Sequence, residues 1–176
     1  MAPLNSKDQF ANRFSVHVTE AGVGIPSYEE VPTYASAFSK EAFIMHKLEY
    51  FFPSTSLNAL VADGDILYAA LTTQNFQTTL APLTSVREPG VVDMIEIRSH
   101  LVGAGANFVM MEQPFVHDFT SLPGGGLIVP ARPIYIGVSG AGIAVAASVD
   151  VRGWFTKIEL KDAEFLELID AYRMIR

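Results

Sequence analysis

Apolar and polar positions alternate with a period of two along most of the chain, which is the signature of half-buried strands. Phe14 to Glu20 (FSVHVTE) is a short β-rich run ending in the Gly22/Gly24/Pro26 turn cluster. Tyr34 to Ser39 offers a further short strand. Ala42 to Phe52 is longer, with Ile44, Leu48, Tyr50 and Phe52 on one parity and Lys47 and Glu49 on the other; Pro53 and Ser54 stop it. Asp63-Gly64-Asp65 then turns the chain into Ile66 to Thr73, which is apolar on both faces and therefore needs cover on both sides. Val91 to Leu101 places Ile95, Ile97 and Leu101 on one side and Glu96, Arg98 and His100 on the other.

Asn107 to Phe119 follows, split by Pro114, and Gly124 to Gly126 opens a loop. In Leu127 to Val138, Pro130 and Pro133 predict a sheet edge or a bulge, because proline cannot donate to the ladder. Ile143 to Leu160 is the last long β segment. Its apolar parity changes after Gly153, from Val149 and Val151 to Trp154, Ile158 and Leu160, and a bulge at Gly153 would return both halves to one face. The chain closes on a helix over about 162–175. Asp162 is its expected N-cap, and Phe165, Leu168, Ile169, Tyr172 and Ile175 form one apolar stripe. About eight short strands and one terminal helix predict an all-β fold, an eight-stranded antiparallel β-sandwich. The expected organisation is a polar N-terminal arm, residues 1–13, and a single domain, residues 14–176.

Composition narrows the classes. The chain has 176 residues, 49% hydrophobic and 18% charged, so general disorder is excluded. Twelve basic against nineteen acidic residues give a formal charge of −7, opposite to the usual sign of a charge-driven nucleic-acid binder. The absence of cysteine removes disulfide, thiolate–zinc and thiol-nucleophile chemistry. Met1 to Arg13 lacks the apolar stretch of a signal peptide, and Ile134 to Val149 is too short and too glycine-rich to be a transmembrane span.

Candidate chemistry is sparse. His17, His46, His100 and His117 are isolated in sequence, without a His-x-His or His-Glu-x-x-His element, and read as surface or satisfied core residues. Ligands gathered from different strands of a barrel leave a cupin-like metalloenzyme open. Gly137-Val-Ser-Gly-Ala-Gly142 and Gly103-Ala-Gly105 lack the strand-then-helix context of a dinucleotide loop and read as hairpin turns. Ser139 lacks the second glycine of a nucleophile elbow, with Ala141 in its place. Glu29 and Glu30 read as solvated residues of a Pro-flanked loop. Tyr50-Phe51-Phe52 either serves both faces of a strand, with one ring in the core and one against a neighbouring subunit, or forms a sugar-stacking patch. No catalytic, cofactor-binding or metal-binding residue is assigned, and no cofactor is implied.

The paired segments Glu41 to Phe52 and Asp65 to Thr73, then Pro133 to Val138, Ala144 to Leu160 and the closing helix, carry a resemblance. So do Ile-Tyr-Ile-Gly-Val-Ser-Gly (134–140) and Ala-Ala-Ser-Val-Asp-Val-Arg-Gly-Trp-Phe (146–155). The chain resembles the single jelly-roll coat proteins of icosahedral viruses. That resemblance implies a self-assembling virion capsid subunit without catalysis, acting through its interfaces with itself and with other structural subunits. The N-terminal arm departs from coat proteins that condense a genome, because it offers only Lys7 and Arg13, beside Asp8. Strong direct nucleic-acid binding is therefore not expected, and an underlying lipid membrane, as in the internal-membrane type, or another protein would separate shell from genome. The other reading is a carbohydrate- or ligand-binding sandwich of the lectin or adhesin kind.

Overall fold

The computed structural model describes residues 11–33, 41–85, 87–88, 90–100, 114–130 and 132–173. The strands are β1 (Asn12–Thr19), β2 (Ser27–Glu30), β3 (Glu41–Phe51), β4 (Ile66–Thr72), β5 (Val91–Arg98), β6 (Phe115–Asp118), β7 (Leu127–Pro130), β8 (Tyr135–Ala141) and β9 (Ser148–Glu159). Two single-turn helices, α1 (Ser54–Leu57) and α2 (Ala81–Thr84), sit in loops, and α3 (Asp162–Arg173) closes the chain. The expected strand at Tyr34 to Ser39 and the loop around Gly103 lie outside the described residues.

Two antiparallel sheets form, one in the order β1-β9-β3-β6 with β7 also on β3, the other β2-β8-β4-β5. β6 pairs with Lys47–Tyr50 and β7 with Ala42–Met45, end to end along the same edge of β3, so together they occupy one strand position. Counted that way there are eight positions, paired first with last and inward: β1 with β9, β2 with β8, β3 with β6/β7, β4 with β5. This is a rolled-up long hairpin, the jelly roll. The core lies between the sheets: Phe14, Val16 and Val18 of β1 and Val149, Val151 and Phe155 of β9 face Leu67, Ala69, Leu71, Ile136 and Val138 of the second sheet.

The parity change in β9 has a different cause from the bulge expected at Gly153. Pairing between β1 and β9 runs unbroken through Phe14 opposite Gly153. Gly153 itself faces the core, where a Cβ would stand 2.2 Å from the Phe14 ring. Trp154 and Ile158 instead belong to the outer face. The extra residue is His46 in β3, where the register with β9 shifts between Met45 and Lys47. Phe43 and Met45 before it, and Leu48, Tyr50 and Phe52 after it, all point inward. Ile44 is thereby turned outward, away from Leu48, into a satellite cluster with Ala42, Ile158 and Leu160.

Two other sequence expectations change. Gly137 to Gly140 is not a hairpin turn but lies within β8, paired with β4 throughout and with β2 as far as Val138. A Cβ at Gly137 would meet the Tyr28 ring at 2.4 Å, and one at Gly140 would meet Ile143 at 2.3 Å, so small residues let both neighbours pack. Glu29 and Glu30 lie in strand β2, exposed on a sheet edge. The two-faced apolar character of β4 is satisfied as expected. Its outer residues Ile66, Tyr68 and Ala70 pack under Leu83, Phe76 and Tyr28, so the chain's own 73–90 loop provides the cover. α3 covers the Ile44/Ile158 cluster through Leu168. It begins at Asp162, with the Glu164 carboxylate accepting from the Lys161 N–H at 3.0 Å, so Lys161 takes the capping position expected of Asp162.

Gly153→Ala should cost about 1–3 kcal/mol through overpacking against Phe14. Urea denaturation checks it, and an unchanged midpoint would refute the close approach. A second expectation concerns Tyr50, fully buried and donating to Asp93 Oδ2 at 2.9 Å. Burial first, then the Asp93 charge and that hydrogen bond, hold its hydroxyl well above the ordinary phenol value of 10.0. Its folded-state pKa is raised, so its contribution is complete below pH 10 and declines above it, by about 1.4 kcal/mol per pH unit. Tyr50→Phe should flatten the alkaline limb of a stability–pH curve by that share; an identical limb would refute the assignment.

Candidate functional site

The four histidines do not converge. His17 Nδ1 is 2.9 Å from Asp150 Oδ1 on the outer face of the first sheet. His46, at the bulge, is within hydrogen-bonding distance of the Gly125 carbonyl and Thr156 Oγ1. His100 lies 3.6 Å from Asp63 in an exposed pair. His117 Nδ1 is 2.7 Å from Asp93 Oδ2, the same oxygen that accepts from Tyr50. Among the described residues no three His, Cys, Asp or Glu side chains form a group suited to a metal ion. Ser139 is buried in β8 and donates to Glu20 at 2.8 Å, so its hydroxyl serves a structural bond.

Polar groups near the core instead tie the sandwich together. On the side where β5 and β6 are the sheet edges, Tyr50, Asp93 and His117 link the two sheets, with the Tyr50 and His117 rings edge to face at 5.7 Å. At one end, the β1–β2, β3–β4 and β8–β9 loops meet. Glu20 is buried there, and its carboxylate accepts from Ser139 Oγ, the Gly140 N–H and the Ala147 N–H, all within 2.8 Å. Asp65, also buried, accepts from the Val61 and Ala62 N–H groups. Ser56 Oγ accepts from the Ser148 N–H at 3.0 Å. A buried carboxylate with this many donors is a brace, since leaving such donors unpaired is costly.

The outer faces of the two sheets are covered unequally. The second sheet's outer face is covered by the 73–90 loop, and one end of the first sheet's outer face by α3. Among the described residues the other end of that face has no such cover. Phe51 is 45% exposed and Val116 46%, on neighbouring strands β3 and β6. Tyr50 and Phe52 are buried, so the aromatic triad divides between core and surface as strand alternation requires. Beside Phe51 lies an open depression of about 440 Å³ lined by Ser15, Glu49, Phe51, Pro114, Asp150 and Arg152. Lys47 pairs with Glu49 at 2.7 Å, and its ammonium sits 5.1 Å from the Trp154 ring centroid. At the loop end, Val23, Ile25, Val61 and Val145 are further exposed aliphatics from three loops. No sequence signal marked these loop positions, because isolated valines in turns carry no pattern.

Glu20→Ala should destabilise the fold by about 3 kcal/mol, since three buried donors lose a charged acceptor. Glu20→Gln should recover part of that. Equal urea midpoints for wild type and Glu20→Ala would show that the carboxylate is no brace.

No protein-family model and no curated protein matches the sequence. Solved structures do match in shape. A Merkel cell polyomavirus VP1 unassembled pentamer superposes with a TM-score of 0.51 at 7% identity, over 90% of this chain and 99% of that one. VP1 of the trichodysplasia spinulosa-associated polyomavirus, in complex with GM1 oligosaccharide, gives 0.53 at 8% identity, over 92% and 100%. Merkel cell polyomavirus VP1 in complex with 3′-sialyllactosamine gives 0.52 at 7%, over 90% and 98%. At such identity the likeness concerns the fold: this chain is a jelly-roll β-sandwich of the kind found in viral VP1 capsid proteins.

Proposed function

We propose that the chain is a virion structural protein, a non-enzymatic capsid subunit that assembles through its outer surfaces. The observation that carries this reading is end-to-end agreement with VP1 in fold, including a pentameric VP1, together with an apolar part of the first sheet's outer face that none of the described residues covers. Jelly rolls also serve lectins and enzymes, so the fold alone does not decide. Against an enzyme reading, the titratable groups near the core are engaged in tying strands together, which supports a scaffold.

The acidic balance supports a shell that leaves genome condensation to another component, with a lipid layer or a second protein between shell and genome. VP1 structures hold oligosaccharides, so glycan recognition is compatible with a coat role. In this chain the exposed Phe51 ring is the side chain best suited to stack on a sugar.

The test is native mass by light scattering over a concentration and salt series, with electron microscopy of any large fraction. Closed oligomers or shells are expected, and Phe51→Ser should weaken association while changing fold stability by no more than about 0.5 kcal/mol. A monomer of 19.2 kDa at every concentration would sink the proposal.

A further inference from the structure

We infer that the end of the first sheet's outer face left without cover among the described residues binds helix α3 of a second copy of this chain, in a reciprocal two-fold contact. The inference rests on the assembly reading and names its partner surface. The six residues lining the depression are unequal in their electrostatics. Glu49 is paired with Lys47, and Asp150 accepts a hydrogen bond from the His17 ring. Arg152 is the only cation among them, it is exposed, and it has no ion pair or hydrogen bond from its guanidinium among the described residues. Arg13, on the neighbouring strand β1 and opposite Trp154, is likewise exposed and unpaired among the described residues. The floor beside them is apolar, through Phe51 and Pro114.

α3 presents the complement. Its inward residue Leu168 holds it to its own sandwich, while Leu166 is 61% exposed and the adjacent Glu167 is exposed too. One exposed leucine beside a carboxylate matches an apolar floor beside an unpaired guanidinium. An arginine pairs well with a carboxylate when both lose water together at an apolar contact.

The placement of the two features sets the symmetry. Both lie on the outer face of the same sheet, at opposite ends. α3 sits over Ile44 and Ile158, while the depression lies by Phe51 and Arg152. Ile44 and Phe51 lie opposite Thr156 and Asp150 of β9, six strand steps apart once the bulge is allowed for, roughly 20 Å at strand rise. When two such faces oppose each other about a two-fold axis perpendicular to the strands, each copy's helix falls over the other's depression. The contact is isologous and closes on itself. It occurs twice per pair, so any one substitution acts twice.

Charge reversal in the full chain tests it. Arg152→Glu and Glu167→Arg should each weaken association by about tenfold or more, and the combined Arg152→Glu/Glu167→Arg chain should regain most of it. Both positions are exposed, and circular dichroism with urea denaturation verifies that each variant is folded. The chain has no native cysteine, so a second readout is clean: Phe51→Cys mixed with Leu166→Cys under mild oxidation should give a disulfide-linked dimer. Wild-type association that neither reversal changes, with no cross-link, would overturn this interface and leave the assembly reading standing. Failure of the double reversal to restore association would also overturn it. A wild type that never associates would overturn both.

Discussion

β3 and β9 pair along most of their length, and β3 carries one residue more than its partner opposes, His46. That inserted residue decides which side of the central pair every later side chain occupies. Before it, Phe43 and Met45 fill the core and Ile44 faces outward; after it, Leu48, Tyr50 and Phe52 fill the core and Phe51 faces outward. Without the insertion, one half of β3 would present its apolar set to solvent, since a one-residue slip inverts a strand. The bulge is held from three directions. The Phe119 N–H donates to the His46 carbonyl at 2.8 Å, and the His46 ring reaches Gly125 and Thr156. The 119–126 excursion that divides β6 from β7 therefore lies where the bulge interrupts the ladder.

The two outer faces inherit unequal tasks from this arrangement. On the second sheet, β4 is apolar on both sides, and Gly137 clears the space through which Tyr28 and Leu83 close over it. The Tyr28 hydroxyl donates to the Thr79 carbonyl at 2.8 Å, fixing the covering loop to the β2 edge. On the first sheet, the bulge sends Ile44 outward at one end, where α3 receives it, and Phe51 outward at the other, where no described residue covers it. The exposed apolar patch is thus a consequence of strand parity, whereas the outward apolar residues of β4 and the Ile44 end of β3 are closed over by loop and helix.

Much of this was legible in the sequence. Strand alternation marked β1, β3 and β5, the two-faced run marked β4 as needing cover, and helical spacing marked α3. The division of Tyr50, Phe51 and Phe52 between core and surface also follows from alternation. What escaped was whatever depends on a partner strand. The parity change at Gly153 reads as a bulge, yet β9 keeps its alternation and the second apolar set belongs to the outer face; the Phe14 ring that Gly153 accommodates is 139 residues away. Ser-Tyr-Glu-Glu has no alternation to announce β2, because Glu29 and Glu30 sit on an exposed edge and only Tyr28 is buried. The glycines of β8 imitate a turn because their reason is the bulk of Tyr28 and Ile143 above and below them. The candidate interface was half visible, since Phe51 was singled out while Arg152 and Val116 became neighbours only through pairing.

The polar groups near the core bear on function as well as stability. Glu20, Asp65 and Asp93 each accept from two or more groups; Glu20 and Asp93 join segments far apart in sequence, while Asp65 closes its own loop on Val61 and Ala62. Such bonds leave little freedom for one sheet to slide over the other, because moving either would strip buried carboxylates of their donors. A rigid sandwich suits a subunit whose work is to hold surfaces at fixed angles to one another, since every degree of freedom within the subunit would be multiplied across an assembly. Among the described residues the side chains without partners at this sheet lie outside, on Arg152, Arg13 and Phe51.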